Sequence, residues 1–174
     1  PYPSMLFGLE TAYLNMKNGR YLFDTPFSHG RCGIPINGLV WMGTAEEMNF
    51  RMEEKIKAGF SCVKLKIGAI DFESELALVK SIRKRFSKDV IELRVDANGG
   101  FSPAEAMERL EVLARYDIHS IEQPIRQKQW SEMARLCSTT PLPIALDEEL
   151  IGVNMKAMKE ELLSVIKPQY IVLK

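Results

Sequence analysis

In the stretch Cys62 to Gly68, CVKLKIG, apolar and polar residues alternate, so that Val63, Leu65 and Ile67 share one face of an extended strand and Lys64 and Lys66 the other. Comparable short apolar runs begin near Asn37 (NGLVWMG), Ile91 (IELRVDANGG), Ile118 (IHSIEQP), Pro143 (PIALDEE) and Tyr170 (YIVLK). Successive starts are 25, 29, 27, 25 and 27 residues apart, close to the length of one strand-plus-helix unit.

Helical patterns fill the gaps. TAEEMNFRMEEKIKAGF opens with Thr44 and carries Glu47 three residues later, and SPAEAMERLEVLARYD opens with Ser102, Pro103 and Glu105 in the same relation; both predict capping boxes. Between them, DFESELALVKSIRKRF places Phe72, Leu76, Val79, Ile82 and Phe86 on one stripe, and its basic run Arg83, Lys84, Arg85 is expected on a solvated face. Two weaker helices are predicted near Lys128 to Cys137 and Val153 to Val165.

Regular alternation of strand and helix predicts a parallel sheet, and near-equal repeats favour a (β/α)8-type barrel of which about six βα units are present. No G-x-G-x-x-G follows the first strand, which argues against a doubly wound dinucleotide fold. A whole barrel needs about 250 residues, so the 174-residue chain is expected to be a segment of a longer protein. Residues 1 to 36, with the amphipathic stretch MLFGLETAYLNM, are expected to close an N-terminal region that precedes the barrel; residues 37 to 174 are the partial barrel, strands one to six.

Composition narrows the partners. Lys plus Arg and Asp plus Glu both number 23, so no overall field draws the chain to nucleic acid or to an anionic membrane. The longest apolar runs fall well short of the ~20 residues needed to cross a bilayer, and a cytoplasmic location is expected. Cys32, Cys62 and Cys137 are widely spaced and fit neither a disulfide framework nor a zinc site; they are expected to be reduced and mostly buried. His29 and His119 have no partner at ligand spacing and are expected to be structural.

The chemistry concentrates at strand ends. In a β/α barrel the active site lies at the C-terminal ends of the strands. The second strand carries Lys64 and Lys66 there, the third Asp96 and Asn98, the fourth Glu122, the fifth Asp147 and the sixth Lys174. Leu93 and Val95, Ile121, Ile144 and Leu146, and Ile171 and Leu173 fall on the opposite face, toward the helices, which leaves the charges pointing into the barrel mouth. Ionisable groups are costly to bury unpaired, so this recurrence on successive strands points to a shared site. Three carboxylates without a cysteine or histidine make a hard oxygen site suited to Mg2+ or Mn2+. Lys64 and Lys66 flank it on one side and Lys174 on the other. A lysine close to a divalent cation and a second ammonium has its charged form disfavoured, which would lower its pKa toward the working pH and let it take a proton. Metal and lysine base together suit abstraction of the weakly acidic proton next to a carboxylate.

The strings KLKIG, RVDANGG, IEQP, ALDEEL and the terminal VLK resemble, in order and spacing, the enolase superfamily in its muconate-lactonizing subgroup, from about Asn37 to the end of the chain. The resemblance implies metal ligation by Asp96, Glu122 and Asp147, acid and base work by Lys66 with Lys64 beside it, Lys174 on the opposite face of the substrate, and Asn98 as a supporting residue. It also implies a small carboxylate substrate, no nucleic-acid or membrane partner, room for oligomerisation, and a capping domain that is mostly missing here. Within the subgroup, PINGLVWMG, DANGGF and ALDEEL are most similar to its dehydratases, which remove water from a hydroxylated cyclohexadiene carboxylate; the racemases and epimerases of the subgroup share the charged positions.

Overall fold

The computed structural model describes residues 2–173, which divide into two compact units between Ile36 and Asn37. The first holds one helix, α1 (Pro3–Asn18), started by a proline in its first turn, and a run of turns behind it. Met5, Phe7, Leu9, Tyr13 and Met16 of α1 are all exposed and none of its residues is buried, so its apolar side chains do not gather on one covered face as the sequence pattern suggested.

The second unit alternates strictly: β1 (Gly38–Val40), α2 (Ala45–Lys57), β2 (Cys62–Lys66), α3 (Phe72–Arg85), β3 (Glu92–Asp96), α4 (Pro103–Ala114), β4 (Ser120–Glu122), α5 (Trp130–Thr139), β5 (Ile144–Leu146), a 3-10 turn (Glu148–Leu150), α6 (Lys156–Ile166) and β6 (Tyr170–Ile171). The six strands are parallel and lie in sequence order, each beside the next. A doubly wound sheet reverses its strand order part-way; this one does not, and it forms six consecutive staves of a β/α barrel wall. No helix among the described residues is long and apolar enough to cross a membrane.

The alternation along each strand decides which side faces the helices. Val63, Leu65, Leu93, Val95, Ile121, Ile144 and Leu146 are fully buried and share a core with Met48, Met52, Leu76, Val79, Ile82, Leu110, Leu113, Met133 and Leu136. Each such side chain removed from water stabilises the fold by about 1.5–3 kcal/mol before entropy is counted. The core therefore lies between sheet and helices and leaves the other face of the sheet to polar side chains.

Local signals set the helix starts, with two departures from expectation. Thr44 and Glu47 form the reciprocal capping box that opens α2, and Asp71 caps α3 by accepting from Ser74 N. At α4 the box is not completed: Ser102 Oγ donates to the Glu105 carboxylate at 2.5 Å instead of accepting from the backbone. Arg83 is not a solvated member of its basic run. Its guanidinium donates to the carbonyls of Ile91, Tyr116 and Asp117 at 2.8 to 2.9 Å and ties the end of α3 to the turn before β4. The cysteines are free, but only Cys137 is buried, with Cys62 half-buried and Cys32 exposed.

The turns after β2 and β3 lock together through backbone. A Cβ on Gly100 would stand 2.5 Å from the carbonyl oxygen of Gly68, and one on Gly68 would stand 2.9 Å from that of Ala97. Gly68 also sits at φ +85°, where a side chain is strained. Beneath this contact Glu75, buried in the first turns of α3, accepts three amide hydrogens through one oxygen: Gly68 N at 2.7 Å, Ala69 N at 3.1 Å and Ile70 N at 3.3 Å. The segment that follows Lys66 is thus held from two directions.

Candidate active site

Lys66 and Asp96 are register partners on β2 and β3, and their shared face turns away from the helix-packed core. Lys66 Nζ lies 2.5 Å from Asp96 Oδ2 and 2.8 Å from Asn98 Oδ1. Lys64, one alternate position earlier on the same face, donates to Glu122 Oε2 at 2.7 Å and stands 3.5 Å from Asp96 Oδ2. Asp96 is fully buried, and Glu122 and Asp147 are buried beside it at the ends of β4 and β5. Five of the six charged positions predicted from the sequence therefore sit on adjacent strand ends; the sixth, Lys174, lies outside the described residues.

The electrostatics follow from crowding acids in a dry place. Burial pushes the Glu122 carboxyl up to about 7; the charge of Asp96 and a hydrogen bond with Asp147 act in the same sense, while Lys64 opposes them. Burial works to lower the pKa of Lys64, but its contacts with Glu122 and Asp96 outweigh that, and the ammonium is held above its ordinary value. Among the described residues, no three acidic, histidine or cysteine side chains stand close enough to hold an ion as placed. The two ammonium groups lie among the acids instead.

Further residues complete the arrangement, and sequence reasoning had passed over three of them. Asn98 takes a left-handed conformation just past β3 (φ +45°), donates its backbone N–H to Asp96 Oδ1 at 3.0 Å, and donates its side-chain amide to Glu148 Oε1 at 2.8 Å. Gln123, fully buried and also left-handed (φ +39°), accepts from the backbone amides of Asp147 and Glu149 through its side-chain oxygen, which splices the end of β4 to the turn after β5. Trp41, just past β1, places its ring centroid 5.5 Å from Lys66 Nζ. Glu148 and Gln123 each adjoin a predicted acid in ALDEEL and IEQP, which was the signal available; Trp41 stands on the lysine-bearing face by strand alternation. Non-glycine residues in left-handed conformations gather at sites where the surroundings over-determine the backbone, as at Asn98 and Gln123.

The model of the family described as Enolase C-terminal domain-like matches residues 47–170, most of the chain and all of β2 to β5. The chain belongs to this family. Among curated relatives of this enolase-type barrel, o-succinylbenzoate synthase of Desulfotalea psychrophila is 52% identical over 175 residues, which cover 99% of this chain and 47% of the relative. The solved structure of MenC from Desulfotalea psychrophila LSv54 superposes with a TM-score of 0.79 at 50% identity, covering 92% of this chain and 44% of that one. An o-succinylbenzoate synthase from Thermosynechococcus elongatus BP-1, solved with Mg in its active site, superposes with a TM-score of 0.72 at 27% identity over 82% of this chain and 44% of that one. The chain thus spans about half the length of the relatives it matches.

Proposed function

We propose that the chain is part of an o-succinylbenzoate synthase, a cytoplasmic carbon–oxygen lyase of menaquinone biosynthesis. It would carry out the syn dehydration of 2-succinyl-6-hydroxy-2,4-cyclohexadiene-1-carboxylate to 2-succinylbenzoate. The observation that carries this reading is the 52% identity to the Desulfotalea synthase, which extends over 99% of the chain and therefore over both lysines and all three acids.

Asp96, Glu122 and Asp147 are the residues that would hold Mg2+, or Mn2+ in its place. Their chemistry fits: three buried carboxylates supply only hard oxygen donors. Bound there, the ion would neutralise the negative charge that develops on the substrate carboxylate once the adjacent proton is lost.

The remaining work belongs to side chains. Lys66, in its neutral form, takes the proton from the carbon next to the carboxylate; the C–H electron pair passes into the ring-conjugated carboxyl system. Lys66, now an ammonium, returns that proton to the hydroxyl leaving the same face, so the C–O bond breaks, water departs and the ring becomes aromatic. No oxidant or reductant is consumed. Asp96 and Asn98 hold Lys66 Nζ at the strand ends, and Lys64, bridging Glu122 and Asp96, adds positive charge beside the forming anion. Lys174 is assigned to the opposite face of the substrate.

The deciding experiment is an assay of the full-length protein on the cyclohexadiene substrate with Mg2+ supplied or removed by EDTA, beside a racemisation assay on N-acylamino acids and dipeptides. Mg2+-dependent formation of 2-succinylbenzoate is expected. Racemisation or epimerisation in the absence of dehydration would replace this reading with the other activity of the subgroup, in which Lys66 and Lys174 serve as paired bases.

A further inference from the structure

Lys66 carries one contact beyond its oxygen partners, and the strand register supplies it. Its ammonium is held on one side by Asp96 Oδ2 at 2.5 Å and by Asn98 Oδ1 at 2.8 Å, and it also lies 5.5 Å from the centre of the Trp41 ring. The placement is built into the sheet. Leu39 and Val40 of β1 pair with Lys64 and Leu65 of β2, so the next residue, Trp41, comes level with Lys66 and on the lysine's side of the sheet. The backbone there is anchored: Arg51, from α2, donates to the carbonyls of Trp41 at 3.0 Å and of Met42 at 2.9 Å. The ring itself is 56% exposed and lies against the Lys66 ammonium.

Two neighbours of Lys66 are oxygen acceptors, and one of them, Asp96, is also wanted by the metal in the proposed reaction. An ion held at Asp96 would draw on the same carboxylate that holds the ammonium and would weaken that tether. An aromatic face attracts an ammonium through its quadrupole and offers no oxygen that the ion would also claim. A lysine with four rotatable carbon–carbon bonds gains most from a flat wall of this kind, since ordering it costs rotamer entropy.

We propose that Trp41 is a positioning residue for Lys66: its ring holds the lysine terminus over the substrate-facing side of the strand ends during the proton-transfer cycle, acting through Lys66. This rests on the acid and base role assigned to Lys66 above, and its test is arranged so that the two can fail separately.

The first measurement is optical and needs no turnover. In the full-length protein, Lys66→Met removes the ammonium beside the indole, and a shift in tryptophan emission is expected; in a Trp41→Phe background the same Lys66→Met change should leave emission unaltered. The second is kinetic, on whichever substrate the full-length protein turns over. Trp41→Leu, which keeps an apolar side chain but removes the ring, is expected to lower kcat by about 3- to 30-fold with KM changed less than twofold, the range set by an exposed to a desolvated cation–π contact. Trp41→Phe is expected to recover most of the lost kcat, since a phenyl face can still receive the ammonium. A structural role alone would lower the melting temperature of both variants without this split or rescue. Three results would each overturn the proposal: emission unmoved by Lys66→Met, kcat of Trp41→Leu within twofold of the parent, or Trp41→Phe no better than Trp41→Leu. Failure of the o-succinylbenzoate reading would instead appear as an absence of dehydration in the parent protein, with the emission shift preserved.

Discussion

Lys64 donates to Glu122 at 2.7 Å although a whole strand, β3, lies between the strands that carry them. The contact crosses the polar face of the sheet and passes beside Asp96, which stands 3.5 Å from the same ammonium. The long Lys64 side chain thus reaches over β3 to a residue 58 positions away in the chain.

That relationship sets the expected behaviour of Glu122→Gln. The variant keeps the shape of the side chain and loses a charge from the acid set, so its affinity for Mg2+ should fall at least about tenfold, the lower end of what removing one charge-assisted oxygen contact worth about 1.5–3 kcal/mol would cost. Isothermal calorimetry on the full-length protein measures it. Undiminished affinity would remove Glu122 from the ligand set.

Lys66→Ala separates chemistry from metal binding. A positioned acid or base contributes about 10² to 10⁴ to the rate, and here one residue serves two consecutive steps, so kcat should fall by at least about that factor. Calorimetry should find Mg2+ binding largely preserved, because Lys66 supplies no ligand atom. Turnover within tenfold of the parent would assign the proton transfer elsewhere.

Lys174→Arg tells the two activities of the subgroup apart. Arginine keeps a positive charge but does not release its proton near neutral pH, so a dehydration that uses this face only for charge should continue at a measurable rate, while racemisation should stop. Solvent deuterium should not enter the substrate at the face assigned to Lys174. Deuterium found there would identify a second working base and move the assignment to racemase.

Glu75 offers a test by pH. Burial raises its pKa above the ordinary carboxylate value, against the pull of its three amide partners and of Arg109. A carboxyl raised in the folded state favours folding most below its unfolded pKa of about 4.3 and loses that contribution as pH climbs through the folded value. Glu75→Gln should therefore flatten the dependence of melting temperature on pH above about 4.3, while retaining an oxygen for Gly68, Ala69 and Ile70. Glu75→Ala should lose that oxygen and melt at a lower temperature than Glu75→Gln at every pH. Identical melting curves for the two variants would show that the amide contacts contribute nothing.

Most of the sheet was legible in the chain because strand alternation is a local signal: LRV, SIE and IAL declare their two faces within a few residues, and each became a strand where expected. The acids and lysines were legible for the same reason, since the residue facing the barrel mouth follows from counting by twos. What escaped detection depends on partners distant in sequence. Arg83 reads as one of three consecutive basic residues until α3 brings it under the carbonyls of Tyr116 and Asp117. Gln123 reads as an ordinary polar residue before a proline until β5 presents two amides to it. At Ser102 the error was local: hydroxyl and carboxylate of a capping box also suit each other, and here they pair directly.

The contact between Gly68 and Gly100 bears on how this protein can vary. Most tight contacts between side chains can be relieved by shrinking one partner when the other grows, so such positions drift in pairs. Here the atoms in the way are the carbonyl oxygens of Gly68 and Ala97, which every amino acid carries. No second substitution can make room, and neither glycine has an escape route through its neighbour. In a library randomised at both positions together and selected for activity, glycine should be recovered at each independently of the other, while the exposed Gly33, with open space around its missing Cβ, accepts many residues. Two loops that carry no catalytic group of their own would then rank among the least changeable parts of the chain.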